Sequence, residues 1–350
     1  MNDPAVIEFP GRRAVPRIAA PQIAVIGAGL AGLVCAERLM GQGWAVTVFD
    51  KGRGPGGRLA TRRADELRFD HGAQYFTARD PRFRDRVDGW VHDGVAALWN
   101  GRIVRLMEDG TVEESPGERF VGTPGMNAPA RALAAVVQPR SGVRVATVTP
   151  DGRKWRLEDE RGTDLGSYDM VVAAVPGPQA VPLLAEAPDL ASRAADAVMA
   201  GCWTVMAHFE RRLDIGYDGA FVTASPLSWI ARNSSKPCRP EGESWVLHGS
   251  PEWSQRHIED EPDAVIEALT AAFREAAGVD FGDSGTIRAE HLAAHRWRFS
   301  LPVHALDEDY LFDPYRRLGA CGDWCNSARV EGAFLSGLEL AERMISAAQG

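Results

Sequence analysis

Four residues near the start of the chain have the types and spacing to hold a pair of phosphates: Gly27, Gly29, Gly32 and Asp50. Gly27 permits a tight turn, Gly29 lets the backbone approach a pyrophosphate, and Gly32 lets a helix lie close to the strand before it. The helix N-terminus then faces the phosphates, where its dipole favours negative charge. Asp50 follows Gly32 by eighteen residues, where a carboxylate accepts hydrogen bonds from adenosine ribose hydroxyls. The elements needed to place these residues are legible. Residues 23–26 form an apolar strand, Leu30 and Ala31 open a helix with Leu33, Val34, Ala36, Leu39 and Met40 on one face, and residues 46–49 form a second strand. A bare glycine triplet would say little, but between a strand and a helix, with the acid in place, it predicts a dinucleotide-binding unit.

The kind of dinucleotide is indicated further along. Residues 51–61 form a glycine-rich loop with Lys51, Arg53, Gly57 and Arg58, suited to wrapping a pyrophosphate from its second side, with Arg58 presenting a fork of donors to a phosphate. A simple nicotinamide dehydrogenase has no need of this loop. Near the C-terminus an apolar stretch, 318–321, runs into Gly322, Asp323 and Trp324. Arg329, Val330, Glu331, Gly332 and Ala333 then open an amphipathic helix through Leu335, Leu338, Leu340 and Met344. Asp323 suits ribityl hydroxyls. The helix start at Arg329, Val330, Glu331 and Ala333 suits the N1 and O2 edge of a flavin, where its dipole favours the anionic reduced ring. Residues 143–148 and 170–175 read as strands, and Val145 is placed to meet an adenine through its backbone.

These blocks together resemble the FAD-dependent amine oxidase superfamily, within the glutathione-reductase-like flavoproteins. Other segments resemble the bacterial renalases more narrowly: residues 70–80 (Asp70-His71-Gly72-Ala73-Gln74-Tyr75 onward), 229–237, 245–248, 295–297 and 321–325. The resemblance runs from about residue 21 to about residue 344. It implies FAD as cofactor, with Gly72, Ala73 and Gln74 among its contacts. The sequence lacks the Gly-Gly-Cys motif through which membrane-bound monoamine oxidases tether FAD, so the cofactor is expected to be non-covalent. The activity implied is oxidation of 2-dihydro- or 6-dihydro-NAD(P) to NAD(P)+, with O2 reduced to hydrogen peroxide. One rival is a true amine oxidase, which typically uses an aromatic cage and a lysine-held water. The sequence does not place that water on any of its lysines, Lys51, Lys154 and Lys236. A second rival is a flavin-binding redox sensor without turnover, which fold alone does not exclude.

No acid/base pair, serine elbow or metal-spaced ligand set is evident, so no metal is expected. Hydride transfer to a flavin needs only a positioned donor carbon, and flavin reduction is then expected to vary little with pH between about 6 and 9. The pocket candidates are Gln74, Tyr75, Asn233, His248 and Trp297. Strand alternation puts Trp245 and His248 on opposite faces and His295 with Trp297 on one face. Trp155, Trp203 and Trp253 are expected in the core. The five cysteines are expected to be small buried hydrophobes rather than a framework.

A chain of 350 residues, 45% hydrophobic, can bury two cores, and a net charge of -9 argues against nucleic acid or an anionic membrane as partner. No apolar run is long enough to span a membrane, and Asp3, Glu8, Pro10 and Pro16 interrupt any N-terminal signal around Arg12 and Arg13, which points to a cytoplasmic protein. The expected fold class is α/β: a Rossmann-type FAD-binding domain from residues 21–75, 126–178 and 316–350, and a substrate domain of mixed antiparallel sheet and helices from residues 76–125 and 179–315. Residues 1–20 are expected to be a poorly ordered extension.

Overall fold

Two sheets built from differently patterned strands organise the chain. A computed structural model describes residues 20–281 and 287–349, so the expected N-terminal extension lies outside the described residues except for Ala20. The first sheet has six strands, in the order Leu311–Asp313, Leu318–Ala320, Met170–Ala173, Gln22–Ile26, Ala45–Asp50, Arg140–Ser141. All neighbours are parallel except Leu311–Asp313 with Leu318–Ala320. Its central strands are near-continuous apolar runs, as expected where both faces are covered.

One face packs against helices Leu30–Met40, Ala128–Val137 and Val330–Gln349. A Cβ on Gly337 would sit 2.1 Å from the Ala31 carbonyl oxygen, so the first and last helices meet backbone to backbone. The other face is covered by the antiparallel strands Val145–Asp151, Lys154–Asp159 and Asp164–Tyr168, together with Leu183, Leu184, Leu190 and Ala194. Two segments that the sequence assigns to the substrate side pack on this first sheet. They are residues 180–197 and the helix Pro81–His92, whose Phe83 ring lies 5.0 Å from Phe334.

The second sheet has seven strands, in the order Ala289–Pro302, Met199–Phe209, Glu243–Gly249, Leu227–Arg232, Gly219–Val222, Ile103–Leu106, Val112–Glu114. Only Gly219–Val222 and Ile103–Leu106 run parallel. Helix Pro262–Ala277 lays Val265, Leu269 and Phe273 over Trp203, Val205, Trp245 and Leu247 on one face. The alternate residues point the other way. Met206 and Val246 meet Phe69, Thr204 donates to the His71 carbonyl at 3.2 Å, and His248 meets Gln74. The segment 69–76 therefore lies against the face of the sheet opposite the helix, and the site is built there.

Trp155, Trp203 and Trp253 are buried as expected. Among the cysteines, Cys35, Cys321 and Cys325 are buried, whereas Cys202 is half-buried and Cys238 is exposed, which corrects the uniform burial expected from composition.

Candidate functional site

The glycine turn has the geometry that its spacing implies. Gly27 sits at φ +115°, where a Cβ would lie 2.3 Å from the Ala174 carbonyl oxygen, and a Cβ on Gly32 would lie 2.1 Å from the Gly27 carbonyl oxygen. Both positions therefore require glycine. Gly29 differs: it is the extended N-cap of helix Leu30–Met40, no side chain caps that end, and a Cβ there would meet no protein atom within 4 Å. The turn leaves open space in front of unshared N–H groups, which is what an anionic ligand needs.

Asp50 joins this turn to the second loop. One carboxylate oxygen accepts from Ala28 N and the other from Gly52 N, each at 2.6 Å. Both oxygens keep lone pairs for a ribose. Gly56 N donates to the Ala28 carbonyl at 2.9 Å, so the 51–58 loop docks onto the glycine turn and Gly57 lies beside Gly29. Lys51 donates to Gln179 at 3.1 Å and burial lowers its pKa, while Arg53 is exposed. Val145 begins its strand with its side chain in the core.

At the other end of the site, two residues expected to touch cofactor separately hold each other. The Arg58 guanidinium makes two parallel bonds to Asp323, at 2.8 and 2.7 Å, and a third to the Ser300 carbonyl at 3.2 Å. The Arg58 carbonyl accepts from Ala73 N at 2.9 Å, and a Cβ on Gly72 would lie 2.0 Å from that oxygen. Loop 57–59, segment 72–74 and the turn at Asp323 are thus clamped together. Val330 and Ala333 pack against the first core at the start of the last helix, and Arg329 is exposed. Glu331, expected beside the cofactor, is tied to a second element. One of its carboxylate oxygens accepts from Arg79 N at 2.6 Å and Asp80 N at 2.8 Å, at the entry to helix Pro81–His92. That contact spans some 250 positions, so no local pattern announces it.

Of the pocket candidates, the structure brings Gln74, His248 and Trp297 together. The Gln74 amide nitrogen donates to the carbonyls of Asp70 and Gly72 and lies 3.4 Å from His248 Nε2. Trp297 donates to the His71 carbonyl at 2.9 Å, stacks on the His71 ring and meets His295 edge-on at 4.5 Å, the shared face predicted by alternation. Tyr75 instead packs against Trp229 and under the Arg119 guanidinium in the first core. Asn233 is fully buried, its amide nitrogen donating to the Arg68 carbonyl while its oxygen accepts from Asp70 N and Lys236, so it braces the site from behind.

What the sequence reading missed is the charge behind this wall. Asp70, Lys236 and Arg239 have fully buried side chains, and one Asp70 oxygen accepts from Lys236 at 3.2 Å and from Arg239 at 2.6 and 3.1 Å. The other oxygen accepts from Thr61 and Met126 N. Burial alone would raise the Asp70 pKa, but the two cations and these bonds hold it down at about 2. Burial lowers Lys236 to about 8 despite the Asp70 charge. Burial, with Lys236 nearby, lowers His248 to about 4, and burial with the His295, Arg62 and His248 charges lowers His71 to about 3. The site therefore holds neutral imidazoles in front of one carboxylate and two cations. Asp70 and Lys236 fall in segments already singled out by resemblance; Arg239 carried no signal.

A family model for flavin containing amine oxidoreductases matches residues 103–345, and one for NAD(P)-binding Rossmann-like domains matches residues 25–90. The chain belongs to the flavin containing amine oxidoreductase family. It is accordingly an FAD-dependent oxidoreductase. The open cradle at Gly29 and the docked second loop fit that cofactor. Among curated proteins, 4,4'-diapophytoene desaturases of Staphylococcus aureus strains Newman and USA300 are 47% identical over 51 residues, 15% of this chain. The match spans only 10% of those relatives' length. Three solved structures share the fold. A protein assigned as a protoporphyrinogen oxidase from Exiguobacterium sp. 255-15 has a TM-score of 0.76 at 13% identity, over 95% of this chain and 100% of that one. A reduced UDP-galactopyranose mutase has 0.73 at 13% identity, over 95% of each chain. A putrescine oxidase bound to putrescine has 0.66 at 12% identity, over 94% and 99%.

Proposed function

We propose that this chain is an oxidase of renalase type, which converts 2-dihydro- and 6-dihydro-NAD(P) to NAD(P)+ with O2 as acceptor and hydrogen peroxide as product. The observation that carries this reading is the wall formed by Gln74, His248 and Trp297, whose side chains are uncharged and include no group with a pKa near neutrality. FAD, when bound, supplies the hydride acceptor, and a dihydropyridine gains aromaticity in losing hydride, so that no base is required. The work left to the chain is to hold a flat, uncharged ring in place and keep water out. The buried excess of positive charge from Lys236 and Arg239 over Asp70 disfavours an ammonium substrate at the same place.

In this reading FAD is held without a covalent bond through Gly27, Gly29, Gly32, Asp50, the 51–58 loop and residues 72–74. The six-stranded sheet carries the cofactor and the seven-stranded sheet faces the substrate. The partners are a dinucleotide and O2, in the cytoplasm, with no nucleic acid or membrane involved. Among the described residues no helix is long and apolar enough to cross a membrane.

The test is anaerobic mixing of the purified yellow protein with a panel of dihydro-NAD isomers and primary amines, followed at the flavin absorbance. Rapid bleaching by the 2- or 6-dihydro forms is expected, with almost none by the 4-dihydro form or by catecholamines, and hydrogen peroxide on admitting air. Faster bleaching by an amine would replace this reading with amine oxidation, and bleaching by none of the panel would leave a flavin-binding sensor.

A further inference from the structure

We propose that Lys236 is the positioning residue of the substrate wall: its ammonium fixes the Gln74 amide so that Gln74 donates to His248 Nε2 and holds the imidazole neutral in its Nδ1–H form. The inference rests on Gln74 and His248 lining the substrate side, as proposed above, and not on which substrate is oxidised.

Lys236 Nζ has three acceptors for its three N–H groups: Asp70 at 3.2 Å, Gln74 Oε1 at 3.1 Å and Asn233 Oδ1 at 3.2 Å. The three acceptors differ in what else reaches them. Asp70 also receives Arg239 and Thr61, and Asn233 Oδ1 also receives Asp70 N. Among the described residues no other donor reaches Gln74 Oε1. Gln74 is therefore the group whose orientation depends on Lys236. With its oxygen held there, its NH2 group points to the Asp70 and Gly72 carbonyls and to His248 Nε2. An imidazole nitrogen facing an amide NH2 must present its lone pair, which places the proton on Nδ1. His248 is further held by a hydrogen bond to the backbone of His71.

The groups facing Lys236 are Asp70, Arg239, Gln74, Asn233, the Trp99 ring at 5.5 Å and the His248 imidazole. A neutral amine at this point keeps two N–H groups, and Asp70 and Asn233, which have other donors, can spare the third, so Gln74 Oε1 is held by a weaker, uncharged donor. Burial sets this change at about pH 8. Lys236 thereby gives the site an ionisation inside the pH range that the sequence reading left flat.

The test uses the FAD-loaded protein with 15N-labelled histidine. The His248 ring nitrogen shifts, assigned by their loss in His248→Gln, should report the Nδ1–H form below pH 8 and a change of tautomer ratio above it. That step should be absent in Lys236→Met and in Gln74→Met, which keeps the lysine and removes the link. Flavin reduction by 2-dihydro-NAD should be level below pH 8 and decline above it, and in Lys236→Met it should be slower by ~10- to 100-fold and level throughout, with flavin content retained. A wild-type His248 spectrum without a step, or a step that survives in Gln74→Met, would overturn the proposal even if Lys236→Met fails to fold. If no dihydronicotinamide reduces the flavin, the function proposed above fails, and the histidine titration still decides the role of Lys236.

Discussion

The glycine turn and the wall around Gln74 hold their ligands by opposite means. At the turn, the working parts are backbone N–H groups and the absence of side chains, all within residues 27–57, and the Asp50 carboxylate accepts from Ala28 N and Gly52 N of that stretch. At the wall, the working parts are side chains oriented by a dry cluster of charges drawn from Asp70, Lys236 and Arg239, up to 169 positions apart. A ligand contacted by backbone requires space and correct φ angles. A ligand contacted by side chains requires other side chains to hold them, and that support is where the energetic stakes of burial lie.

The sharpest way to break the comparison is to fill the turn. Gly29→Val puts a side chain into space that no protein atom occupies, so the chain should fold normally yet purify with almost no FAD, read from the ratio of flavin to protein absorbance. Gly27→Val should instead fail to fold, because its Cβ would lie 2.3 Å from a carbonyl oxygen at φ +115°. If Gly29→Val retains full FAD, the cradle is misplaced.

The wall should respond to loss of charge. Asp70→Asn leaves Lys236 and Arg239 buried without a counter-charge and should destabilise the fold by about 3–5 kcal/mol in denaturant titration at neutral pH. Lys236 can relieve that strain by releasing its proton. Its folded pKa lies below its unfolded value of 10.5, so the unfolded chain binds more protons and stability rises with pH between the two values. Losing Asp70, whose charge raises Lys236, lowers that pKa further, so the Asp70→Asn defect should shrink as pH rises toward 8 and level off above it. A defect independent of pH would mean that Lys236 is not part of the cluster.

The same contrast explains what was legible in the sequence. The strand–turn–helix that begins at residue 23 and the opposite faces of Trp245 and His248 follow from local periodicity, and the structure has both. Gln74 could be singled out but not oriented, since its holder is 162 positions away. Asn233 was expected at the substrate and instead braces Asp70 and Lys236. Arg58 and Asp323 were read as two cofactor contacts because each sits in a flavin-like motif, and only the tertiary fold shows that they meet across 265 positions.

Acid should unfold the wall before the turn. His71 and His248 have folded pKa values of about 3 and 4, below the ordinary 6.5, so from 6.5 downward the unfolded chain takes up protons that the native one does not. Asp70, at about 2 against an ordinary 3.8, adds to the same trend at lower pH. All three signs agree: stability is fully present above pH 6.5 and falls as pH drops toward 4. Denaturant midpoints measured through this range should decline, and His248→Gln should flatten the decline. An unchanged slope in that variant would show that His248 is already charged in the native protein.

The smallest effect separates a pair from two independent contacts. If Arg58 bound a phosphate and Asp323 a ribityl hydroxyl on their own, the losses of FAD affinity in Arg58→Ala and Asp323→Ala would add in the double variant. The structure joins them by two bonds of 2.8 and 2.7 Å, with side chains 28% and 10% exposed, so each single change also strands its partner. The double variant should then bind FAD no worse than the poorer single one, giving a coupling of about 1 kcal/mol, the size of a partly screened bidentate pair. Arg12→Ala and Arg13→Ala, outside the flavin motifs, control for general charge and should change affinity little. Additive losses with silent Arg12→Ala and Arg13→Ala would restore Arg58 to the phosphates as a direct ligand, and Asp323 would then answer for the ribityl end alone.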